Sequence, residues 1–301
     1  MANVKFTNGA GTGNIQTAGN YQGGAAPSNG DTVLFDDIAT DINAGNDWSA
    51  GPTNLSFIFG KNWKGQFGRQ STPIKLNAST GSFRVRSPNA GGIYAEFKNS
   101  GGMGNVEIAA CGQGANVCRI NGDITRFAAN GPGVIVLGSA VTLNEPLFVD
   151  GHATVTVESG AAGASSAALS ILQMTGIVDN YASLAYYYGI GGQLNHWGSE
   201  AGNTGGVSGA MQTYKGNLIR WRAARQNTGY TLALLKMLGG TFDDDDIAAA
   251  NTLTLLELAA GTCRLNPGWT VSARKILAAN ALNSYSGPSP ASEIPMAIYG
   301  R

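Results

Sequence analysis

The chain has 301 residues, enough for one large or two ordinary domains. A chain of this length can bury roughly three quarters of its unfolded surface, so it needs neither disulfides nor a metal to fold. Its 19 basic and 19 acidic residues balance, which excludes a bulk electrostatic pull toward nucleic acid or an anionic membrane. Charged residues make up only 13% and glycines number 44, about half and about twice their usual shares. Disorder needs low hydrophobicity with high charge and is excluded. A chain that turns often and has much of its surface covered by partner subunits is expected instead.

In chain order, residues 1–30 hold seven glycines among Asn, Ala and Thr and read as an extended arm. No apolar leader stretch lies in Met1–Phe6, so synthesis in the cytoplasm is expected. Nor is there a run of about 18 apolar residues to span a membrane. A body of short strands is predicted over 31–271. Thr32–Phe35 and Phe57–Phe59 open it, and Ile74/Leu76, Phe83/Val85, Ile93/Ala95/Phe97 and Val106/Ile108 follow with a period of two. The clearest stretch is Val134–Leu137, Val141–Leu143, Leu147–Val149 and Val155–Val157, separated by Gly138-Ser139, Asn144-Glu145-Pro146 and Asp150-Gly151. Val134 and Val155 are 21 residues apart, as are Gly240-Thr241-Phe242 and Gly261-Thr262-Cys263. Such spacing suggests stacked coils, so an all-β, right-handed parallel β-helix is predicted, with a β-sandwich or jelly roll as the alternative. Leu218–Arg225 reads as a strand or short helix. Residues 272–301 read as a short helix over Ser272–Leu282 and a tail with Pro288, Pro290 and Pro295. Within the tail Ile294, Met296 and Ile298 alternate, as in a strand added to a neighbour.

Chemistry-bearing motifs are scarce. There is no Gly-rich nucleotide loop and no Gly-x-Ser-x-Gly elbow, and the only histidines are His152 and His196. Cys111, Cys118 and Cys263 are an odd set, predicted to be reduced thiols; six residues separate the first two, with no second ligand pair at zinc spacing. Asp243-Asp244-Asp245-Asp246 could attract a divalent cation, but four consecutive carboxylates cannot all face one ion from a strand, and a solvated corner is expected. Asp41–Asp47 partly resembles a calcium loop but has Gly45 one place early and Pro52 where a Glu is required. Cleavage of a glycan would need two carboxylates about 5–9.5 Å apart, for which Glu96, Glu107, Asp123 and Glu158 are the candidates. Tyr186-Tyr187-Tyr188 and Trp197 could line a sugar groove or pack in a subunit contact. Arg84 and Arg86 would share one strand face, and with Arg220, Arg222 and Arg225 they read as ion-pair partners across subunits. No catalytic, cofactor-binding or metal-binding residue is therefore assigned.

Pro27-Ser28-Asn29-Gly30-Asp31-Thr32-Val33-Leu34-Phe35 resembles a P-x-x-G-D-x-V-x-F opening of phage and bacterial β-helix proteins. Leu55–Phe59 and Trp63–Gly68 fit the same style of strand followed by glycine corner. The resemblance is strongest over residues 27–68 and implies a structural protein of tailed-phage particles. On that footing the expected role is a non-enzymatic capsid decoration or cement protein on the virion surface. Its expected partners are itself, as a homotrimer, and the major capsid protein; no cofactor, nucleic acid or membrane is expected. A tailspike-like or lyase-like enzyme acting on polysaccharide is the alternative. Fold alone does not decide between them.

Overall fold

Alternation of apolar and polar residues over runs of three to five, punctuated by glycine, dictates half-buried strands joined by tight corners. The computed structural model has that form: an all-β chain whose parallel strands build a β-solenoid of about 10 turns. It describes residues 2–36, 38–44, 47–77, 81–98, 102–112, 116–164, 168–197, 210–214, 216–221, 231–244, 251–278 and 281–294. The chain divides into two compact units, Met1–Ser165 and Ser166–Arg301.

In the first unit the coils stack in register, so one interior position recurs from coil to coil. Val33, Phe57, Phe83, Val106 and Phe127 form one column. Phe67, Ile93, Cys118, Ile135 and Val155 form another. The early coils are filled with rings: Phe35 and Phe59 stack at 4.7 Å, and Phe59 and Phe83 meet at 5.1 Å. Such contacts add to the free energy of burying the rings. Gly122 bends the long strand Val117–Ala129 between two faces; its φ is +100°, and a Cβ there would meet the Phe97 carbonyl oxygen at 2.1 Å. Only glycine fits such a corner.

Residues 1–30 are not a loose arm. The strand Asn3–Lys5 pairs with Thr32–Phe35, and Phe6, Ile15 and Tyr21 are buried. The Tyr21 hydroxyl donates to the Ile15 carbonyl at 2.5 Å, and the Phe6 and Tyr21 rings meet edge-on at 5.3 Å. The glycines hid these three apolar side chains, which cover the end of the first coil.

The second unit stacks Tyr187, Met211, Leu235 and Leu256 in one interior column. Arg274 occupies the next position of that column. It forms a forked ion pair with Glu293 and lies 4.8 Å from the Tyr285 ring centroid. The apolar column thus passes into a paired charge.

The predicted helix over Ser272–Leu282 is instead the strand Trp269–Ile276 followed by a short 3-10 turn at Ala281–Ser284. Trp269 and Val271 point inward beside Asn251 and Leu253, and this parallel pairing overrides a weak helical propensity. In the tail, Ser292–Ile294 adds to Ala273–Lys275 of its own chain rather than to a neighbour. Pro295, Met296 and Ile298 lie outside the described residues. Of Leu218–Arg225, the described part belongs to the strand Asn217–Trp221.

The repeat at Thr241/Thr262 and Phe242/Cys263 is true stacking. That of Val134 and Val155 is one residue off: Val134 pairs with Thr154 and Ile135 with Val155. A one-residue slip moves a side chain to the other face, and accordingly Val155 is buried while Val134 is only partly so.

Deleting residues 1–25 is expected to uncover the first coil, at roughly 1.5–3 kcal/mol for each of Phe6, Ile15 and Tyr21. A thermal melt followed by circular dichroism should show a clearly lower midpoint. An unchanged midpoint would rule out the cap.

Candidate functional site

Stacking in register puts the outward side chains in columns too, with neighbours about 4.8 Å apart. Several described acids find a basic partner one or two coils away within the chain. Glu107 pairs with Arg84 at 3.6 Å, Asp47 with Lys75 at 3.6 Å, and Asp243 with Arg264 at 3.5 Å. Glu257 lies between Lys236 and Lys275, at 3.5 Å from each. Glu158 accepts both arms of the Arg119 fork at 2.6 Å and the Ser139 backbone N–H at 3.1 Å. Glu96 pairs with Lys98 at 2.5 Å.

Of the four glycan-cleavage candidates, Glu96, Glu107 and Glu158 are thus each held by a base of the same chain. Glu96 lies in register with Asn121, and Glu158 is two further coils along, three strand spacings or roughly 14 Å away. Glu107 belongs to a different strand face, opposite Ala128. Asp123 sits exposed just past the Gly122 bend, in register with Thr142. Arg84 and Arg86 do share the outward face of Ser82–Arg86, but the carboxylate beside Arg84 belongs to the same chain. Arg220 lies in register with Asn195 and Asp243; Arg222 and Arg225 are outside the described residues.

The acidic run divides. Asp243 faces Arg264, whereas Asp244 is buried and accepts hydrogen bonds from the Trp269 indole N–H and from Asn266 Nδ2 at 2.8 Å. Asp244 thus anchors the turn before Trp269–Ile276. Asp245 and Asp246 lie outside the described residues. In the calcium-like loop, Asp41 accepts the Gln66 backbone N–H at 3.0 Å. Asp47 accepts the Ser49 hydroxyl and backbone N–H, which hold its carboxyl below the usual range. Gly45 and Asn46 lie outside the described residues. Among the described residues no three acidic, His or Cys side chains gather as a metal site.

All three cysteines are buried thiols. Burial pushes Cys111 and Cys263 up to about 12 and raises Cys118 well above its ordinary value, so none is a ready nucleophile. His152 is exposed, with a positive φ of 64°, in the turn after Gly151. His196 is fully buried. Asn180 Nδ2 donates to the Ala182 carbonyl at 2.8 Å and to His196 Nδ1 at 3.0 Å. Nδ1 is thus an acceptor and the ring is the neutral Nε2–H tautomer. Desolvation lowers its pKa to about 4.

Two features escaped sequence reasoning. One is a buried polar chain: the Tyr187 hydroxyl donates to Gln173 Oε1 at 2.7 Å and accepts from Asn217 Nδ2 at 2.7 Å. Gln173 Nε2 in turn donates to the Gly176 and Gln193 carbonyls at 3.0 and 3.1 Å. The other is the split of the tyrosine triplet, with Tyr187 inside and Tyr186 and Tyr188 outside. Period-two alternation was the available signal for it. Trp197 is not part of that row; it stacks on Tyr181, centroids 5.8 Å apart and planes within 5°.

No protein-family model, curated protein or solved structure matches the chain. The geometry offers interior polar bonds, inter-coil ion pairs and one uncharged aromatic face.

Asp244→Ala would strand the Trp269 and Asn266 donors, and a loss of about 2–3 kcal/mol is expected by urea denaturation. His196 yields a pH dependence. The unfolded imidazole protonates near its ordinary 6.5, while the folded one resists protonation until about 4. Stability is therefore full above about pH 6.5 and falls as pH drops toward 4, by about 3 kcal/mol from this group. Urea midpoints at pH 7.5 and 4.5 should differ by more in the wild type than in His196→Gln, and equal differences would refute the assignment.

Proposed function

We propose that the chain is a non-enzymatic structural protein of a phage particle, a decoration or cement protein seated on the capsid surface and acting as a homotrimer. The observation that carries the non-catalytic reading is the pairing of acids with bases of the same chain, between coils for Glu107 and Glu158 and within one strand for Glu96. Both oxygens of the Glu158 carboxylate are taken up by the Arg119 fork, which makes it a tie between coils. The location on a particle rests on the resemblance of residues 27–68, and the low share of charge suits a surface that meets partners.

Within each unit the stacked coils suit such a role because they hold one another rigidly along a parallel hydrogen-bond ladder. A rigid body loses little further freedom on binding. The N-terminal segment belongs to that body, so attachment falls to outward faces of the coils.

Purified chain mixed with capsids lacking it should co-sediment at micromolar concentration, saturate at a fixed number of copies, and raise the temperature at which the capsids open. Sedimentation equilibrium should give a trimer mass. A monomer that leaves capsids unchanged would remove this reading. Release of reducing ends from a host polysaccharide, abolished by replacing Glu96, Glu107, Asp123 or Glu158, would replace it with the enzymatic one.

A further inference from the structure

On the strand Leu184–Gly189 the side chains of Tyr186 and Tyr188 face outward, 61% and 37% exposed, and Ile190 continues the row at 38%. Tyr186 lies in register between Ser170 and Ala210, and Tyr188 between Leu172 and Gln212. Tyr214 stands beside Ile190, its backbone N–H donating to the Gly189 carbonyl at 2.9 Å. Among the described residues, none in this outward block, three coils deep within the second unit, carries a charge; Lys215, next to Tyr214 in sequence, lies outside them. Charge resumes one coil on, where Gln212 is followed in register by Lys236 and then by Glu257 and Lys275.

The polar atoms of the block are already ordered. The Tyr188 hydroxyl donates to the Tyr214 hydroxyl oxygen at 2.8 Å, and Gln212 Nε2 donates to the same oxygen at 2.7 Å. An oxygen that accepts two hydrogen bonds keeps its own proton to donate. The cluster therefore presents a donor at Tyr214 flanked by acceptors at the Tyr188 oxygen and Gln212 Oε1. The Tyr188 and Tyr214 rings are held 5.2 Å apart at 55°, so little rotamer freedom remains to be lost on binding. Tyr186 adds a ring with one face open to solvent.

This pattern selects its occupant by chemistry. An apolar protein face would bury the donor and acceptors without partners, a cost that offsets the benefit of covering the rings. A charged polymer would find no counter-charge in the block. A sugar offers an apolar C–H face for a ring, and hydroxyls that each donate and accept. We propose that this face binds an uncharged polysaccharide, with Tyr186 as the stacking platform and Tyr188, Gln212 and Tyr214 reading neighbouring hydroxyls. The proposal involves no cleavage and does not depend on the capsid reading.

Affinity electrophoresis of the intact chain tests it, in native gels cast with dextran, cereal β-glucan or galactomannan, with anionic alginate for comparison. Retardation by at least one neutral polymer, and less by alginate, is expected. Tyr186→Ala should abolish it. Tyr214→Phe, which keeps the ring and removes the donor, should weaken it about tenfold, on the order of 1.4 kcal/mol. Both positions are outward, and circular dichroism melts confirm that each variant folds. Retardation by none of the three neutral polymers overturns the proposal, as does retardation unchanged in both variants. Self-association abolished by Tyr186→Ala without any retardation also overturns it, assigning the face to a second copy of the chain.

Discussion

Parallel pairing in register, at about 4.8 Å per coil, is the constraint from which the rest follows. Once a coil is aligned with the next, each interior position must suit the one above and below it. Phenylalanine therefore follows phenylalanine at Phe57 and Phe83, and leucine follows leucine at Leu235 and Leu256. The same alignment orders the exterior, which is why opposite charges sit in adjacent coils. Each exposed pair contributes little, about 0–1 kcal/mol. Together they favour the native register, because a slip brings like charges together or turns a charge inward. A parallel ladder also leaves unpaired backbone at its ends. In the first unit Phe6, Ile15 and Tyr21 pack over the coil that holds Phe35.

The two interiors solve the filling problem differently. The early coils of the first unit use rings in mutual contact, where close packing and burial act together. The second unit buries polar side chains: Gln173, Asn180, His196, Thr213 and Asn217. Thr213 donates to the Gly239 carbonyl at 2.7 Å, and the Gln173–Tyr187–Asn217 chain ties three coils together. Hydrogen bonds in a low-dielectric interior are directional and costly to leave unmade. They fix one alignment of the coils where aliphatic side chains alone would tolerate several.

Much of this was legible in the sequence because a strand has a short, strict period. Phe83/Val85 and Ile93/Ala95/Phe97 alternate, and all five are buried. Gly261 stacks on Gly240, and a Cβ on it would meet the Gly240 carbonyl oxygen at 2.5 Å; its repeat at fixed spacing is the mark of a corner. Two of the errors share one cause. Periodicity within a strand says nothing of which coil it will meet, so Val134 and Val155 looked equivalent although the coil there is 20 residues long, from Ile135 to Val155. Likewise Ala273–Ile276 has residues tolerable in a helix, and only pairing with Leu255–Leu258 decides otherwise. At the N-terminus, composition concealed three buried side chains among many small ones. Asp244 was unreadable because its donors, Asn266 and Trp269, lie more than twenty residues away.

Columnar order also bears on how the outward faces of such a chain can recognise a partner. A pocket requires elements that converge, whereas stacked coils yield a ribbed surface whose chemistry changes by rows. Moving one coil from Gln212 to Lys236 replaces a neutral amide by a cation, and one coil more brings Glu257. Along a strand, alternate residues share a face at nearly 7 Å intervals, so Tyr186, Tyr188 and Ile190 form a row rather than a cleft. A surface of this kind gains affinity by repeating weak contacts along an extended partner, and its specificity lies in which rows are charged. The absence of a linear catalytic motif and the presence of a readable face are thus compatible. Both come from placing residues some twenty positions apart side by side, which leaves their chemistry visible in space and scattered in sequence.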